Sequence, residues 1–241
     1  MKRYKWLLGC CLFLSIGMLW AADEPDLRML QQKAAQSRDM EGYVGVCKYL
    51  CQTEENPELL LLYADSIHQL ATKSKKPEQL VEYYIWASEG NFIKGDFQQG
   101  YALKRKAIAL AEKAGLKFAI SQSCCDMGYY CNVDARYDSA RYYFRKGLEA
   151  GEDLSEAGEA CRTMLTNYAS SFLFEGKTDS ALVYTIRASE RSAADKDTAM
   201  LIENLNQLGT IYRRKKDLEN CIANFEQALH LCELRGNHNA V

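Results

Sequence analysis

The chain has 241 residues, 48% of them hydrophobic, with a formal charge of −2 at pH 7 and only three prolines. That is enough apolar material for a globular core, and so few helix breakers point to an all-α protein. With Lys2, Arg3 and Lys5 of the N-terminal stretch set aside, 27 of the 30 Lys+Arg stand against 32 Asp+Glu, a balance of −5 that argues against an extended nucleic-acid surface, which needs clustered cations.

The N-terminus carries an address pattern. Lys2, Arg3 and Lys5 precede an apolar run from Trp6 to Trp20, followed by Ala21, Ala22, Asp23, Glu24 and Pro25. A basic stretch, an apolar stretch and small residues, in that order, make a secretory signal peptide, so residues 1–22 are expected to direct export and to be cleaved after Ala21 or Ala22. The run is short of the roughly 20 apolar residues a spanning helix needs. Leu7-Leu8-Gly9-Cys10 supports a second reading, a lipoprotein acylated at Cys10; an uncleaved anchor is a third. The expected location is therefore periplasmic or otherwise exported, with a membrane-anchored lipoprotein as the alternative.

The remaining residues, 23–241, read as one elongated helical domain. Leu27 to Gln36 is a short leading helix. Met40 to Cys51 and Pro57 to Thr72 form a first hairpin (residues 40–75), and Pro57 and Pro77 stand at helix starts, where a missing N–H costs little. Pro77 to Ile93 pairs with Asp96 to Ala114 (77–114), and Leu116 to Val133 with Asp138 to Ala150 (116–152). Glu156 to Phe174 pairs with Asp179 to Ser192 (156–194), and Thr198 to Arg214 with Asp217 to Arg235 (197–235). Gly95, Gly115 and Gly176 follow helix ends, where a left-handed cap favours glycine. Asp96, Asp138, Asp179 and Asp217 stand where a carboxylate can accept from an orphan backbone N–H. Leu218, Ile222, Phe225, Leu229 and Cys232 trace one helical face and are expected to be the buried stripe of the last helix.

A pattern recurs at a period of about forty residues, the mark of stacked units that bury their apolar faces on one another. Leu205, Leu208, Gly209, Tyr212, Cys221, Phe225 and Ala228 give the clearest copy. Others are Met127, Gly128, Ala140, Phe144 and Gly147; Ala169, Phe172, Ala181 and Ala188; and Gly95, Phe97, Gly100 and Ala107. These residues resemble the tetratricopeptide repeat, a helix-turn-helix unit. The resemblance implies a right-handed α-solenoid of helical hairpins. It makes Gly128, Ala169 and Gly209 small contacts on the first (A) helix of a hairpin, met by Gly100, Ala140, Ala181 and Cys221 on second (B) helices. Tyr212, Phe144 and Phe225 would fill the space between neighbouring units. No proline closes any B helix, and the period exceeds the family's usual length of about 34. The extra residues are expected in longer helices, since no Gly/Pro/Ser-rich insert is present.

Little speaks for catalysis. The three histidines are His68, His230 and His238, and no phosphate-binding glycine loop, H-E-x-x-H or G-x-S-x-G occurs. Cys47 and Cys51 have no second close pair, as structural zinc prefers, and Cys131 and Cys221 occupy packing slots of the repeat. No enzyme activity, cofactor or metal is expected.

The resemblance implies that A helices line a concave face that binds peptides. By position, the wall comprises Glu82 and Glu89; Gln122, Tyr129 and Asn132; Thr166, Ser170 and Phe174; and Asn206, Thr210 and Arg213. No basic pair stands on the wall of the middle hairpins, which disfavours a clamp for a terminal carboxylate. The expected function is an exported scaffold for a protein or peptide partner. The alternative is the extracytoplasmic sensory part of a larger, possibly truncated, transcriptional regulator or sensor kinase. No nucleic acid is expected on this segment, membrane contact only through the N-terminal signal or a missing C-terminal part, and self-association is possible through the C-terminal end.

Overall fold

The computed structural model describes residues 26–54 and 56–238; the expectations for residues 1–22 fall outside them. The described residues form eleven α-helices and one 3-10 turn, with no strand among them. Helix α1 is Leu27–Ser37, α2 Met40–Thr53, α3 Pro57–Ser74, α4 Pro77–Lys94 and α5 Phe97–Ala114. Helix α6 is Lys117–Val133, α7 Tyr137–Gly151, α8 Gly158–Phe174 (after the 3-10 turn Ser155–Ala157), α9 Thr178–Ala194, α10 Thr198–Arg214 and α11 Leu218–His238. The chain divides into two compact units, one ending at Ser123 and the other beginning at Cys124, so the boundary falls within α6. Each is an all-α stack of paired helices, the solenoid architecture that the repeat implied.

The repeating element is visible in the turns. After α4, α6, α8 and α10, the chain closes with the same bond, from an amide to a carbonyl five residues back: Asp96 to Asn91 (2.8 Å), Arg136 to Cys131 (2.8 Å), Lys177 to Phe172 (2.8 Å) and Asp217 to Tyr212 (3.0 Å). This closure satisfies end carbonyls but needs a left-handed residue. Gly95 and Gly176 supply it at φ of 90° and 84°; Ala135 and Lys216 adopt φ of 57° and 63° without the freedom of glycine. The turns are short and the helices long, with α4 and α5 at 18 residues and α6, α8, α9 and α10 at 17. The extra length of the period therefore lies in helix.

In the first unit the core gathers Val46, Cys47 and Leu50 of α2, Leu60, Ala64 and Ile67 of α3, Val81, Ile85 and Trp86 of α4, and Leu103, Ala107 and Ala111 of α5. The leading helix α1 covers α2 through Ala34, which is fully buried. In the second unit, Leu173, Ala181 and Ile211 form one cluster, and Leu205, Leu208 and Ala228 another. Leu182 of α9 lines both clusters and so joins hairpin to hairpin.

Three expectations are corrected. Phe144 and Phe225 lie within their own hairpins rather than between units. A Cβ on Gly128 would stand 2.4 Å from the Phe144 ring, and one on Gly209 would stand 2.8 Å from Phe225. Asp96 and Asp217 do accept from Gln99 and Asn220 amides at 3.1 and 3.2 Å. Asp138 and Asp179 do not cap, because α7 and α9 begin one residue earlier and place them in the first turn; their carboxylates pair with Arg141 and Lys215. The apolar stripe of α11 is exposed, with Leu218 at 65%, Ile222 at 56%, Phe225 at 37% and Leu229 at 59%. The face turned to α10 carries Cys221 and Ala228 instead, both buried, with Leu231 partly so.

Two stability predictions follow from these contacts. Ala181, fully buried, leaves no room for a larger side chain, so Ala181→Leu should cost about 1–3 kcal/mol. Phe144→Ala should cost about 3–5 kcal/mol, as for a fully buried ring, and the partly exposed Phe225→Ala clearly less. Urea unfolding of the three variants checks the order; equal costs for the two rings would contradict the packing. Separately, Ala135→Gly should raise the unfolding midpoint, because glycine relieves the positive φ at no steric cost.

Candidate functional site

The A helices of the second unit, α8 and α10 with the C-terminal part of α6, are joined by side chains one repeat apart. Asn132 of α6 donates through Nδ2 to the Asn167 carbonyl (3.0 Å). Thr166 of α8 donates to Asn204 Oδ1 of α10 (2.9 Å), and Asn204 Nδ2 donates on to Ser192 of α9 (3.1 Å). Gln207 Nε2 of α10 donates to Ser170 Oγ of α8 (2.6 Å), while Gln207 Oε1 accepts from Thr185 of α9 (3.0 Å). Thr166, Asn204, Thr185 and Ser192 are buried, so each bond also satisfies a polar group that would otherwise be left without water. Together they form a polar ladder that fixes adjacent hairpins in register.

Charge closes both ends of this wall. Arg162 on α8 donates through Nε to Asp197 (2.8 Å) and through Nη1 to Asp195 (3.2 Å), anchoring the turn between α9 and α10. Arg191 donates to the same Asp195 (2.9 Å) and, with Arg162, holds that carboxyl below its usual range. At the other end Arg214 donates to the Leu173 carbonyl (2.7 Å), an end carbonyl of α8. Arg141 reaches Glu175 (2.7 Å) and lies 4.6 Å over the Phe172 ring. Glu203, on the wall of α10, is pushed from 4.5 up to about 7 by burial, with the charge of Asp197 adding to it.

The sequence-derived wall residues separate by burial. In the second unit Asn132, Thr166 and Ser170 are buried, and all three are spent on the ladder. Phe174 is 42% exposed beside the Tyr137 ring, Asn206 and Arg213 are exposed, and Tyr129 and Thr210 are half-buried. These five keep solvent-accessible surface. In the first unit Gln122 is half-buried and Glu82 accepts from the Trp86 indole (2.9 Å), its carboxyl raised by burial. Glu89 is buried and paired with Lys104, which is fully buried. Burying two charges is tolerated when they neutralise each other, and Glu89 thereby becomes an internal partner. The ladder members Asn204, Gln207, Ser192 and Thr185, and the Arg162 anchor, were not marked by sequence. For Asn204, Gln207 and Arg162 the one signal is separation from a partner by about one repeat, visible only once the pairing is known; Ser192 and Thr185 lie 12 and 22 residues from theirs.

Cys47 behaves as a packing group. Cys47 is fully buried, and burial, with Glu82 adding, pushes it to about 12, so a reactive thiolate is not available there. No group of three His, Cys, Asp or Glu side chains able to hold a metal is found among the described residues. No described helix is long and apolar enough to cross a membrane.

Comparison with known proteins extends the fold. No family model matches the chain, and no curated protein matches its sequence. Among solved structures, it is similar to BtubC (BKLC) from P. vanneervenii, with TM-score 0.69 and 14% identity over 89% of each chain. It is similar to the apo form of RapI, with TM-score 0.67 and 10% identity, over 96% of this chain and 65% of that one. It is also similar to PlcR of Bacillus thuringiensis in complex with the peptide PapR7 and DNA, with TM-score 0.52 and 14% identity, over 91% of this chain and 85% of that one. At these identities the likeness is one of fold: an all-α, tetratricopeptide-like array. These relatives correct the expected location. One of them was solved in complex with DNA, and none of the three is described as an exported protein. The exported, periplasmic and lipoprotein placements are withdrawn, and with them the extracytoplasmic sensor. The same complex means that the shared fold does not by itself exclude nucleic acid.

Two measurements test the electrostatics. Because the folded state holds the Glu203 proton more tightly than the unfolded chain, Glu203 favours folding least when ionised. Its contribution is most favourable below about 4.5 and is lost as pH rises through about 7. Glu203→Gln should therefore be more stable than the parent at about pH 8 and gain little at about pH 4, read as the difference in Tm across that range. Lys104→Met should cost about 3–5 kcal/mol by breaking the buried pair with Glu89, and adding Glu89→Gln should recover part of that loss in urea unfolding.

Proposed function

We propose that the protein is a non-catalytic scaffold that binds a peptide or an extended segment of a partner protein along the A-helix wall, the concave face of such repeats. The observation that carries this reading is the division of labour on the wall of the second unit. Asn132, Thr166 and Ser170 lock the helices to one another, while Phe174, Asn206 and Arg213 are exposed and Thr210 and Tyr129 half-buried. A wall fixed in advance loses little conformational freedom when it binds, so a modest set of contacts can give useful affinity. The exposed set offers what a peptide needs: amide and hydroxyl groups for its backbone, an aromatic ring for an apolar side chain, and a cation for an acidic one. PlcR, whose fold is similar, was solved in complex with a peptide, which supports this reading.

The test is site-specific photocrosslinking in the native cell. A crosslinker at Asn206, Thr210 or Phe174 should capture the same partner, and one at Ile186 on α9 should not. With that partner purified, Asn206→Ala with Arg213→Ala should weaken binding about tenfold or more, the equivalent of about 1.4 kcal/mol. Equal capture from Ile186, or undiminished affinity in the double variant, would remove the wall from the account.

A further inference from the structure

We propose that the outer face of α11 docks an antiparallel amphipathic helix of another polypeptide, one whose apolar stripe is flanked by basic residues. The first observation is register. In α9 the face carrying Leu182, Thr185 and Ser192 receives the next A helix: Leu182 packs on Leu205 and Leu208, Thr185 bonds Gln207, and Ser192 bonds Asn204. In α7 the corresponding Arg141 covers Phe172 of α8. One repeat on, the same positions in α11 are Ile222, Phe225 and Cys232. With Leu218 and Leu229 they form a continuous apolar face along some four turns of helix, and all five are exposed. This helix therefore presents to solvent the surface that its counterparts use to seat a helix. Such a face is too continuous to be scattered surface apolarity.

The second observation is charge, and it selects the occupant. Glu219, Glu226 and Glu233 recur every seven residues and are all exposed. At 100° per residue they fall along one edge of the apolar face. The other edge is Cys221 and Ala228, which are covered within the hairpin. The counterpart seat on α9 is filled by α10, which runs antiparallel to it across a short turn, so a helix placed in the same seat on α11 takes the same direction. A second copy of α11 in that arrangement would set its acidic row against this one, because a two-fold axis across the pair keeps each flank on its own side. Like charges directly opposed disfavour that pairing and leave a basic-flanked helix as the complementary one. This surface is separate from the A-helix wall and does not depend on the function proposed for that wall.

Two labelled helical peptides of about twenty residues test the proposal, since that length spans the apolar face with about a turn to spare. They share a Leu/Ala stripe and differ only in carrying lysine or glutamate along its flanks. By fluorescence anisotropy on the full chain, the lysine peptide should bind at least about tenfold more tightly than the glutamate peptide at low salt. The preference should collapse near 1 M salt, where the screening length falls to about 3 Å. Glu219→Lys with Glu226→Lys and Glu233→Lys should reverse it. Ile222→Asn with Leu229→Asn should abolish binding of both peptides while circular dichroism stays helical, and Asn206→Ala with Arg213→Ala should leave binding unchanged. Equal binding of the two peptides, binding of neither, or insensitivity to the Ile222 and Leu229 changes would overturn the proposal. Concentration-dependent dimerisation in sedimentation velocity, lost in the Ile222 and Leu229 variant, would assign the face to a second copy instead.

Discussion

A phenylalanine ring laid against a glycine sets the distance between paired helices. At Gly128 and Phe144, and again at Gly209 and Phe225, the absence of a side chain on one helix lets the ring of the other lie over its backbone. Gly100 meets Phe92 in the same way, with the roles of the two helices exchanged. Close approach of this kind is unforgiving, because a packed interior does not absorb an added carbon without displacing something. Once the distance within a hairpin is fixed, the turn that joins its helices has little freedom. The same amide-to-carbonyl closure recurs after α4, α6, α8 and α10. Ala135 and Lys216 accept a left-handed backbone for its sake, although glycine would do so more easily.

The joints between hairpins are of a different kind. In the second unit they rest on directional polar contacts between residues about one repeat apart, such as Thr166 to Asn204 and Gln207 to Ser170. Apolar packing alone leaves neighbouring helices able to slide by a turn, since ridges of similar side chains fit in several registers. Buried hydrogen bonds remove that freedom, because a slip would strand each donor and acceptor without water. The first unit uses the Lys104–Glu89 pair at the contact of α4 with α5, within one hairpin. A buried ion pair contributes little net stability against an apolar replacement, so its value there lies in specifying which helix faces which.

Much of the fold was legible because its punctuation is chemical. Pro57 and Pro77 begin helices, Gly95, Gly115 and Gly176 end them, and Asp96 and Asp217 cap the next ones. The failures share one cause. Leu218, Ile222, Phe225 and Leu229 satisfy helical periodicity, but periodicity reports a face and not what covers it; small residues, Cys221 and Ala228, took the inner contact with little hydrophobic signal. The wall was harder still. Serine, threonine, asparagine and glutamine read as solvated groove residues, yet Thr166, Asn132 and Asn204 are buried because a partner about one repeat away supplies the missing hydrogen bond. The N-terminal pattern led furthest astray: an address read from residues 1–22 carried no information about the relatives of the fold that follows.

The two exposed surfaces of the second unit differ in what they can recognise. On the A-helix wall the accessible groups are few, mixed and held on helices that the ladder has already immobilised. Such a wall discriminates by the placement of hydrogen bonds, and a ligand that cannot match them leaves polar groups unpaired at a real cost. The α11 face offers almost no hydrogen bonds. Its Leu218, Ile222, Phe225 and Leu229 would accept many apolar stripes of similar shape, so affinity there comes from buried area and discrimination falls to the acidic edge. A single-signed row excludes like-charged partners well and ranks basic ones poorly. On the two proposals, fine selectivity would belong on the wall, and coarse selectivity, by the sign of a helix flank, on the last helix.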